Sequence, residues 1–316
     1  MINYLRLVRW SNLLFLAILI WALEKWVCVP ILDVAYFGEV LPWWMLVLLI
    51  EAVVCTAAAG YVVNDYFDVK IDRINRPEQL IVTQSISKDS AMLLYRILAV
   101  IGALSGLAVA WFARSWYIAT IFLFVPGLLW FYSSSYKRQF LLGNIIIAFA
   151  SALPPLLVGL TNAAWLQCHY PQVMPFVTTG REVILWTSGF ALFAFLMTWI
   201  REGVKDLQDQ NGDRELECHT MPIVLGEQWT KIVLTLLILL TAGLMVYFWY
   251  AILPMPHTWG SLSTRYLVFG LLIPLACEVW LLWAAKIASD YKHAQLLMKF
   301  IMFLGVLFSF VIERSL

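Results

Sequence analysis

Charged residues are scarce in this chain. Asp, Glu, Lys and Arg make up 13% of its 316 residues, about half the share found in soluble domains. Hydrophobic residues make up 62%, and the mean hydropathy is +0.82. This composition excludes an ordinary soluble protein, because so apolar a surface needs lipid around it. The net charge of +1 also argues against a nucleic-acid-binding surface, which requires basic residues gathered on one exposed face.

Paired cysteines are missing as well. The five cysteines stand singly, mostly inside apolar runs, at positions 28, 55, 168, 218 and 277. They form neither a disulfide framework nor the CxxC pattern of a thiolate metal site. We therefore expect no structural disulfide and no zinc centre.

Long apolar runs separated by short charged segments fill almost the whole chain. At about 20 residues per crossing, the length allows roughly nine transmembrane helices and leaves no room for a large soluble domain. We place the spans near residues 11–31, 41–63, 92–113, 116–135, 141–161, 183–203, 229–252, 266–285 and 294–312. The sequence therefore predicts an all-α, polytopic membrane protein that forms a single domain over residues 1–316.

The basic residues are distributed unevenly between the two ends of these spans. If the N-terminus is cytoplasmic, most of the 21 Lys and Arg residues fall on the cytoplasmic side. This is the asymmetry that the positive-inside rule predicts. We therefore expect an integral protein of the cell (inner) membrane with a cytoplasmic N-terminus.

Two acidic motifs follow the second and sixth spans, on the predicted cytoplasmic side. We call residues 64–76 the first motif and residues 201–214 the second motif. Three aspartates in each are spaced three and then four residues apart, so they share one helix face. They are Asp65, Asp68 and Asp72 in the first motif, and Asp206, Asp209 and Asp213 in the second.

Three carboxylates on one helix face repel one another, so a bound cation is the natural compensation. Oxygen ligands with few side chains per ion suit Mg²⁺, which keeps waters and shares its coordination with substrate phosphates. Two motifs with the same spacing are consistent with two Mg²⁺ ions around one diphosphate. We expect Mn²⁺ to be able to substitute.

Basic side chains near the motifs are candidates for phosphate contact. A third polar segment, residues 132–138, ends the fourth span and joins hydroxyl groups to two cations. The nearby basic residues are Arg76, Lys137, Arg138, Arg201, Lys205 and Arg214. The alternative is that such residues only face water or the membrane interface, as polar loops do in any membrane protein. The repeated spacing of the motifs favours a shared site.

Two other classes of membrane protein also use acidic residues. A CDP-alcohol-type phosphotransferase normally has a D-x2-D-G-x2-A-R core, which this sequence lacks. An ion-coupled transporter places carboxylates near the bilayer midplane, where only Glu51 and Glu278 are candidates. Both motifs instead lie at helix ends, which favours an enzyme at the membrane surface.

At the two motifs and the 132–138 segment, the chain resembles the UbiA superfamily of intramembrane prenyltransferases. That family combines nine helices with an NDxxDxxxD motif after helix 2 and a DxxDxxxD motif after helix 6. The resemblance implies a helical bundle around a central cavity with a cytoplasmic cap. It also implies transfer of a prenyl group from an isoprenyl diphosphate to a lipophilic acceptor, with release of pyrophosphate.

The resemblance also implies roles for individual residues. Asn64, Asp68 and Asp72 would bind one Mg²⁺, and Asp209 and Asp213 the other, with Asp65 and Asp206 in support. The residues that would contact the diphosphate are Arg76, Tyr132, Lys137, Arg138, Arg201 and Lys205, of which Lys205 would act in catalysis beside the aspartates.

The acceptor is less well indicated. The chain has Glu78 and Gln79 after Arg76-Pro77, where family members often have Gly. The second motif is similar to that of the branch that includes digeranylgeranylglyceryl phosphate synthases, and also to that of chlorophyll synthases. A glyceryl-phosphate lipid and an aromatic or quinone precursor both stay open as acceptors.

Overall fold

The computed structural model of the protein describes residues 2–75, 77–173, 177–251 and 261–314. These residues form fourteen α-helices: α1 (Ile2–Leu7), α2 (Trp10–Leu23), α3 (Val29–Val34), α4 (Trp43–Phe67), α5 (Val69–Asn75), α6 (Lys88–Phe112), α7 (Trp116–Ser134), α8 (Leu142–His169), α9 (Thr179–Glu215), α10 (Met221–Leu225), α11 (Glu227–Ala251), α12 (Leu262–Arg265), α13 (Ile273–Ala284) and α14 (Ala288–Glu313). Two π-helical turns join successive helices, Glu24–Cys28 and Tyr266–Leu272. A short 3₁₀ turn, Tyr136–Arg138, follows α7.

Over the described ranges, nine helical segments are long and apolar enough to cross a membrane. They are Trp10–Val34, Trp43–Phe67, Lys88–Phe112, Trp116–Ser134, Leu142–His169, Thr179–Glu215, Glu227–Ala251, Leu262–Ala284 and Ala288–Glu313. The predicted all-α, polytopic membrane fold is confirmed. The largest difference in bounds is at the sixth span, because α9 continues through the second motif to Glu215 instead of ending before it.

By their contacts, the residues group into two compact units. The first comprises Met1–Lys137 and Leu153–Ser188, and the second comprises Arg138–Ala152 and Gly189–Leu316. Neither is continuous in sequence, since α8 and α9 each contribute residues to both. The first motif belongs to the first unit and the second motif to the second. The central cavity, its cytoplasmic cap and the single domain stay predictions.

The first unit is organised around α4, which packs against α2, α6 and α7. Helices α4 and α6 approach closely at Gly102, where an added Cβ would lie 2.6 Å from the Thr56 hydroxyl oxygen. Beside the first motif, apolar side chains of α1, α4, α5, α6 and the segment between α5 and α6 form one buried cluster. Its members are Leu7, Val62, Val69, Leu80, Val82, Ile86 and Ala91. Because this cluster holds the end of α4, it also fixes the carboxylates that lie there.

The second unit buries one face of α9 against α11, α13 and α14. On α9 this face consists of Met197, Ile200, Val204 and Leu207, whose spacing keeps them on one side of the helix. They pack with apolar residues such as Leu234 on α11. At about 100° per residue, the three aspartates of the second motif point to the opposite side of α9. Packing of the apolar face therefore leaves the acidic face free of the core.

Candidate active site

The first motif begins in the last turn of α4 and continues into α5. Helix α4 ends at Phe67, and Asp68 caps it with φ −83° and ψ −1°. The helical hydrogen bonds nevertheless continue, because the amides of Asp68 and Asp72 each donate to the carbonyl four residues earlier at 2.9 Å. The predicted alignment of the three carboxylates along one helix face is therefore present. The spacing does not predict the change of backbone conformation at Asp68.

Asp68 is buried and lies at the centre of the polar contacts of the first motif. Lys137 Nζ forms an ion pair with Asp68 Oδ2 and lies 3.4 Å from Asn64 Oδ1. Asn64 Nδ2 donates to the same Asp68 oxygen at 2.7 Å. Burial by itself would lower the pKa of Lys137, but the charge and hydrogen bond of Asp68, together with Tyr132 and Asp72, outweigh it and the pKa lies above its ordinary value. The ammonium group therefore stays charged beside the carboxylate.

Arg9 is a second cation on the first motif, and sequence reasoning misses it. It lies 56 positions before Asp65 and contributes to the sequence pattern only as one of the positive-inside residues. Its Nη2 donates to Asp65 Oδ1 at 2.8 Å, and the guanidinium carbon lies 4.8 Å from the centre of the Tyr61 ring. Burial would lower the pKa of Arg9, but Asp65, Tyr61 and Asp68 together outweigh it and the pKa is raised.

In the second motif, the predicted cations contact a residue that the sequence did not indicate. Arg201 Nη1 lies 2.6 Å from Glu202 Oε1, and Lys205 Nζ lies 3.9 Å from Glu202 Oε2. Glu202 is buried and stands four residues before Asp206, on the same face of α9. Extending the motif's spacing backwards by one turn would have found it.

Neutral donors form hydrogen bonds with two aspartates of the second motif. Asn144 Nδ2, on α8, donates to Asp206 Oδ2 at 2.8 Å. The Thr220 hydroxyl donates to Asp213 Oδ2 at 3.0 Å, in a buried contact. Thr220 precedes α10, and the chain between α9 and α10 also bonds to the 3₁₀ turn. There the His219 amide donates to the Arg138 carbonyl at 2.8 Å. The turn after α9 is thereby fixed beside Asp213.

The predicted phosphate-binding residues divide between the two units. Tyr132 is buried on α7 in the first unit, which also contains Lys137. Arg138, Arg201 and Lys205 belong to the second unit. Arg76 lies outside the residues that the structure describes. Their predicted convergence on one diphosphate stays a prediction.

The donors of both motifs fit a hard divalent cation in their chemistry. In the first unit, oxygen atoms of Asn64 and Asp68 already converge on a positive charge, the Lys137 ammonium. On α9 the aligned donors are carboxylates. No three Asp, Glu, His or Cys side chains among the described residues are grouped as a complete metal site. Mg²⁺ commonly takes one or two carboxylates and completes its shell with water and phosphate oxygens.

Acids also lie deep inside the spans, away from both motifs. Glu278 on α13 is fully buried in the protein, whereas Glu51 lies at the surface of α4. Glu24, in the first π-helical turn, is buried as well and accepts a hydrogen bond of 2.6 Å from Asn162 Nδ2. Sequence reasoning misses this pair, because Asn162 is 138 positions away.

The family profile described as the UbiA prenyltransferase family matches residues 26–306, which include both motifs. This chain belongs to the UbiA prenyltransferase family. It is therefore a prenyltransferase and an integral membrane protein, as the resemblance predicted.

Two archaeal members of the family are similar to the chain over most of its length. The digeranylgeranylglyceryl phosphate synthase of Methanobrevibacter smithii is 27% identical over 267 residues, which cover 84% of each protein. The synthase of the same name from Methanopyrus kandleri is 32% identical over 263 residues, or 82% of this chain and 83% of that one. The branch suggested by the second motif is thus also the one these relatives belong to.

A solved UbiA structure shares the fold. It is a UbiA homologue from Archaeoglobus fulgidus bound to DMAPP and Mg²⁺, with a TM-score of 0.61 and 16% sequence identity. The match covers 99% of this chain and 100% of that one. At this level of identity, the likeness establishes the UbiA fold for the chain and nothing finer.

Proposed function

We propose that this UbiA prenyltransferase transfers a prenyl group from an isoprenyl diphosphate to a glyceryl-phosphate lipid, in a reaction that depends on Mg²⁺. The observation that carries the metal dependence is the convergence of Asn64 and Asp68 oxygens on the Lys137 ammonium. The Archaeoglobus homologue solved with DMAPP and Mg²⁺ supports the same donor class. The names of the two archaeal relatives support the acceptor.

The metal ligands are proposed from both motifs. Asn64, Asp68 and Asp72 would hold one ion, and Asp209 and Asp213 the second, with Asp206 in support. When bound, Mg²⁺ supplies positive charge to the diphosphate oxygens.

The remaining chemistry belongs to the side chains around the motifs. The bond between C1 of the prenyl group and the diphosphate oxygen breaks, and its electron pair leaves with pyrophosphate. Lys137 and Lys205 stabilise the pyrophosphate as it forms. Tyr132, Arg138 and Arg201 add hydrogen bonds to its oxygens. An acceptor hydroxyl then bonds to C1 and loses its proton, which yields an ether.

The acceptor is tested by competition between two chemical classes. Purified protein in lipid nanodiscs receives radiolabelled geranylgeranyl diphosphate, Mg²⁺ and either geranylgeranylglyceryl phosphate or 4-hydroxybenzoate. We expect label in the glyceryl-phosphate lipid only. Label in the aromatic product alone would contradict the proposed acceptor. Transfer to neither would contradict the proposed function.

We further propose that both motifs face the cytoplasm. The test uses a cysteine-free background with single cysteines at two exposed positions near the motifs, Lys88→Cys and Glu217→Cys. Arg114→Cys, at the opposite end of its span, is the control. A membrane-impermeant thiol reagent should label the first two from the same side and the control from the other. Labelling of positions 88 and 217 from opposite sides would rule out a shared diphosphate.

A further inference from the structure

Two pairs of residues at the end of α4 are each bound by a different cation. Tyr61 and Asp65 are four residues apart, as are Asn64 and Asp68, and both pairs lie on the same broad side of the helix. Arg9 binds the first pair, with its guanidinium on the Asp65 carboxylate and over the Tyr61 ring. Lys137 binds the second pair, whose oxygen donors fit a metal ion. The Asp65 carboxylate therefore serves a different contact from that of Asp68.

The backbone at Arg9 is unusual in a way that serves this contact. Arg9 has φ 53° and ψ 55°, in the left-handed region, between α1 and α2. A non-glycine residue there costs of order 1 kcal/mol and persists only where its surroundings hold it. Here the Arg9 carbonyl accepts the first helical bond of α2, from the Asn12 amide at 2.8 Å. On the other side, Leu7 is fully buried in the cluster beside the motif.

The ion pair is also well placed to be rigid. The Asp65 side chain is 19% exposed, and the planar guanidinium both donates to it and stacks on an aromatic ring, which a lysine does less well. Asn12 Nδ2, in the first turn of α2, lies 3.5 Å from the Tyr61 hydroxyl, so Arg9 and the start of α2 both contact this side of α4.

We propose that Arg9 is a positioning residue of the first motif. Its ion pair with Asp65 orients the end of α4, and Asp65 serves this ion pair instead of binding Mg²⁺. The inference rests on the proposed Mg²⁺ site at Asn64 and Asp68. It assigns Asp65 a different role from that of the other aspartates. Arg9 does not touch the diphosphate in this account. It acts through the direction in which α4 presents its ligands.

The test measures metal binding directly. Electron paramagnetic resonance follows Mn²⁺ binding to the protein in the presence of geranyl thiolodiphosphate, which is not turned over. We expect Arg9→Gln to weaken Mn²⁺ binding by about tenfold or more, as loss of outer-sphere support commonly does. Arg6→Gln is the matched control, because Arg6 is exposed on α1 close by. Unchanged binding in Arg9→Gln would overturn the inference. Tighter binding would overturn it too, since it would show that the Arg9 charge merely repels the ion.

A double-variant cycle separates an anchor from a ligand. If Asp65 is an anchor, Asp65→Asn should weaken binding about as much as Arg9→Gln, and the double variant should be no weaker than either single variant. Losses that multiply would overturn the inference, because they would make Asp65 an independent ligand. Arg9→Lys keeps the charge and should recover part of the affinity. A lysine variant no better than glutamine would overturn the role of the ion pair.

Two controls keep the outcome interpretable. The melting temperature and the size-exclusion profile are recorded for each variant. If Arg9→Gln does not fold, the two single variants Asp65→Asn and Arg9→Lys carry the test. Wild-type protein that binds no Mn²⁺ beside the thiolodiphosphate would contradict the proposed Mg²⁺ site itself. That result differs from a variant effect, so failure of the proposed function and failure of this inference are distinguishable.

Discussion

The two motifs have the same aspartate spacing but opposite kinds of partner. In the first unit, Asp65 and Asp68 are paired with Arg9 and Lys137. In the second unit, Asp206 and Asp213 accept hydrogen bonds from Asn144 and Thr220, which are neutral. The nearby cations Arg201 and Lys205 pair with Glu202 instead. Identical spacing therefore predicts where the carboxylates point, but not how their charge is balanced.

This difference in partners predicts that the charges of the two motifs are compensated in different ways. A carboxylate beside a fixed cation has part of its charge compensated by that cation. We therefore expect the first motif to depend on its lysine and arginine as well as on metal.

Removal of divalent metal should have the largest effect, because both motifs are proposed to work through it. Excess EDTA should abolish prenyl transfer, measured as radiolabelled lipid product, and added Mg²⁺ or Mn²⁺ should restore it. A chelator selective for Zn²⁺ should leave the rate unchanged, since the ligands are all oxygen. Full turnover in EDTA would contradict a metal role for either motif.

Neutralising one aspartate in each motif should have the second-largest effect on activity. Asp68→Asn and Asp209→Asn keep the size of the side chain but remove an anionic ligand. Each should lower kcat by roughly a hundredfold or more, at about 1.4 kcal/mol per tenfold. The double variant should lose less than the product of the two losses, because both motifs would act on one diphosphate.

Asp89→Asn, at an exposed carboxylate on α6, is the control and should change stability by no more than about 0.5 kcal/mol. Normal turnover in both folded single variants would contradict the assignment of Asp68 and Asp209 to the active site. Strictly multiplicative losses would mean that the motifs act independently.

Substitution of a lysine should lower the stability of the protein more at the first motif than at the second. Lys137→Gln leaves the buried Asp68 without its cation and should cost up to about 3 kcal/mol, a value reduced because Lys137 is partly exposed. Lys205→Gln removes only a 3.9 Å contact with Glu202 and should cost less than about 1 kcal/mol. Melting temperatures in detergent measure both. Equal shifts would remove the electrostatic difference between the motifs.

The Lys137 effect should also have a defined dependence on pH. Its pKa is raised in the folded protein, so the stabilisation is fully present below the unfolded value of about 10.4. It is lost only as the pH rises through the raised pKa. The difference in melting temperature between wild type and Lys137→Gln should therefore be constant from about pH 6 to pH 9. A difference that shrinks within this range would mean that Lys137 is not held by Asp68.

The smallest effect concerns a neutral donor. Thr220→Val removes the hydrogen bond to the buried Asp213 and should lower stability by about 1–2 kcal/mol, because the carboxylate loses a donor. Thr120→Val is the matched control, since that exposed hydroxyl bonds only the Trp116 carbonyl in its own helix. A loss in Thr220→Val no larger than in the control would show that Asp213 does not depend on this contact.

The sequence predicted the helices and the motifs well, because both depend on short-range patterns. Apolar runs set the nine spans, and spacing of three and four residues set the acidic faces. The partners were predicted poorly. Arg9, Asn144 and Thr220 are recognised only when separate segments are brought together, and a single sequence has no periodic signal for such pairs. Glu202 is different, because the spacing of the second motif itself could have indicated it.

Even neighbouring residues in the sequence proved to have separate roles. Residues 132–138 were predicted as one phosphate-binding segment. In the structure, the Lys137 side chain contacts the first motif, and the Arg138 carbonyl binds the turn after the second motif. Backbone and side-chain contacts of consecutive residues are set by different tertiary neighbours, which composition cannot distinguish.

The discontinuity of the two units bears on how the protein is made. The first unit needs Leu153–Ser188, which the ribosome releases only after Arg138–Ala152 of the second unit has emerged. During synthesis the first unit is therefore incomplete when part of the second unit has already left the ribosome. A chain interrupted between residues 137 and 138 would yield a first fragment that lacks Leu153–Ser188 and a second fragment that contains the whole second unit. Co-expression of the two fragments would therefore require the second to supply Leu153–Ser188 to the first.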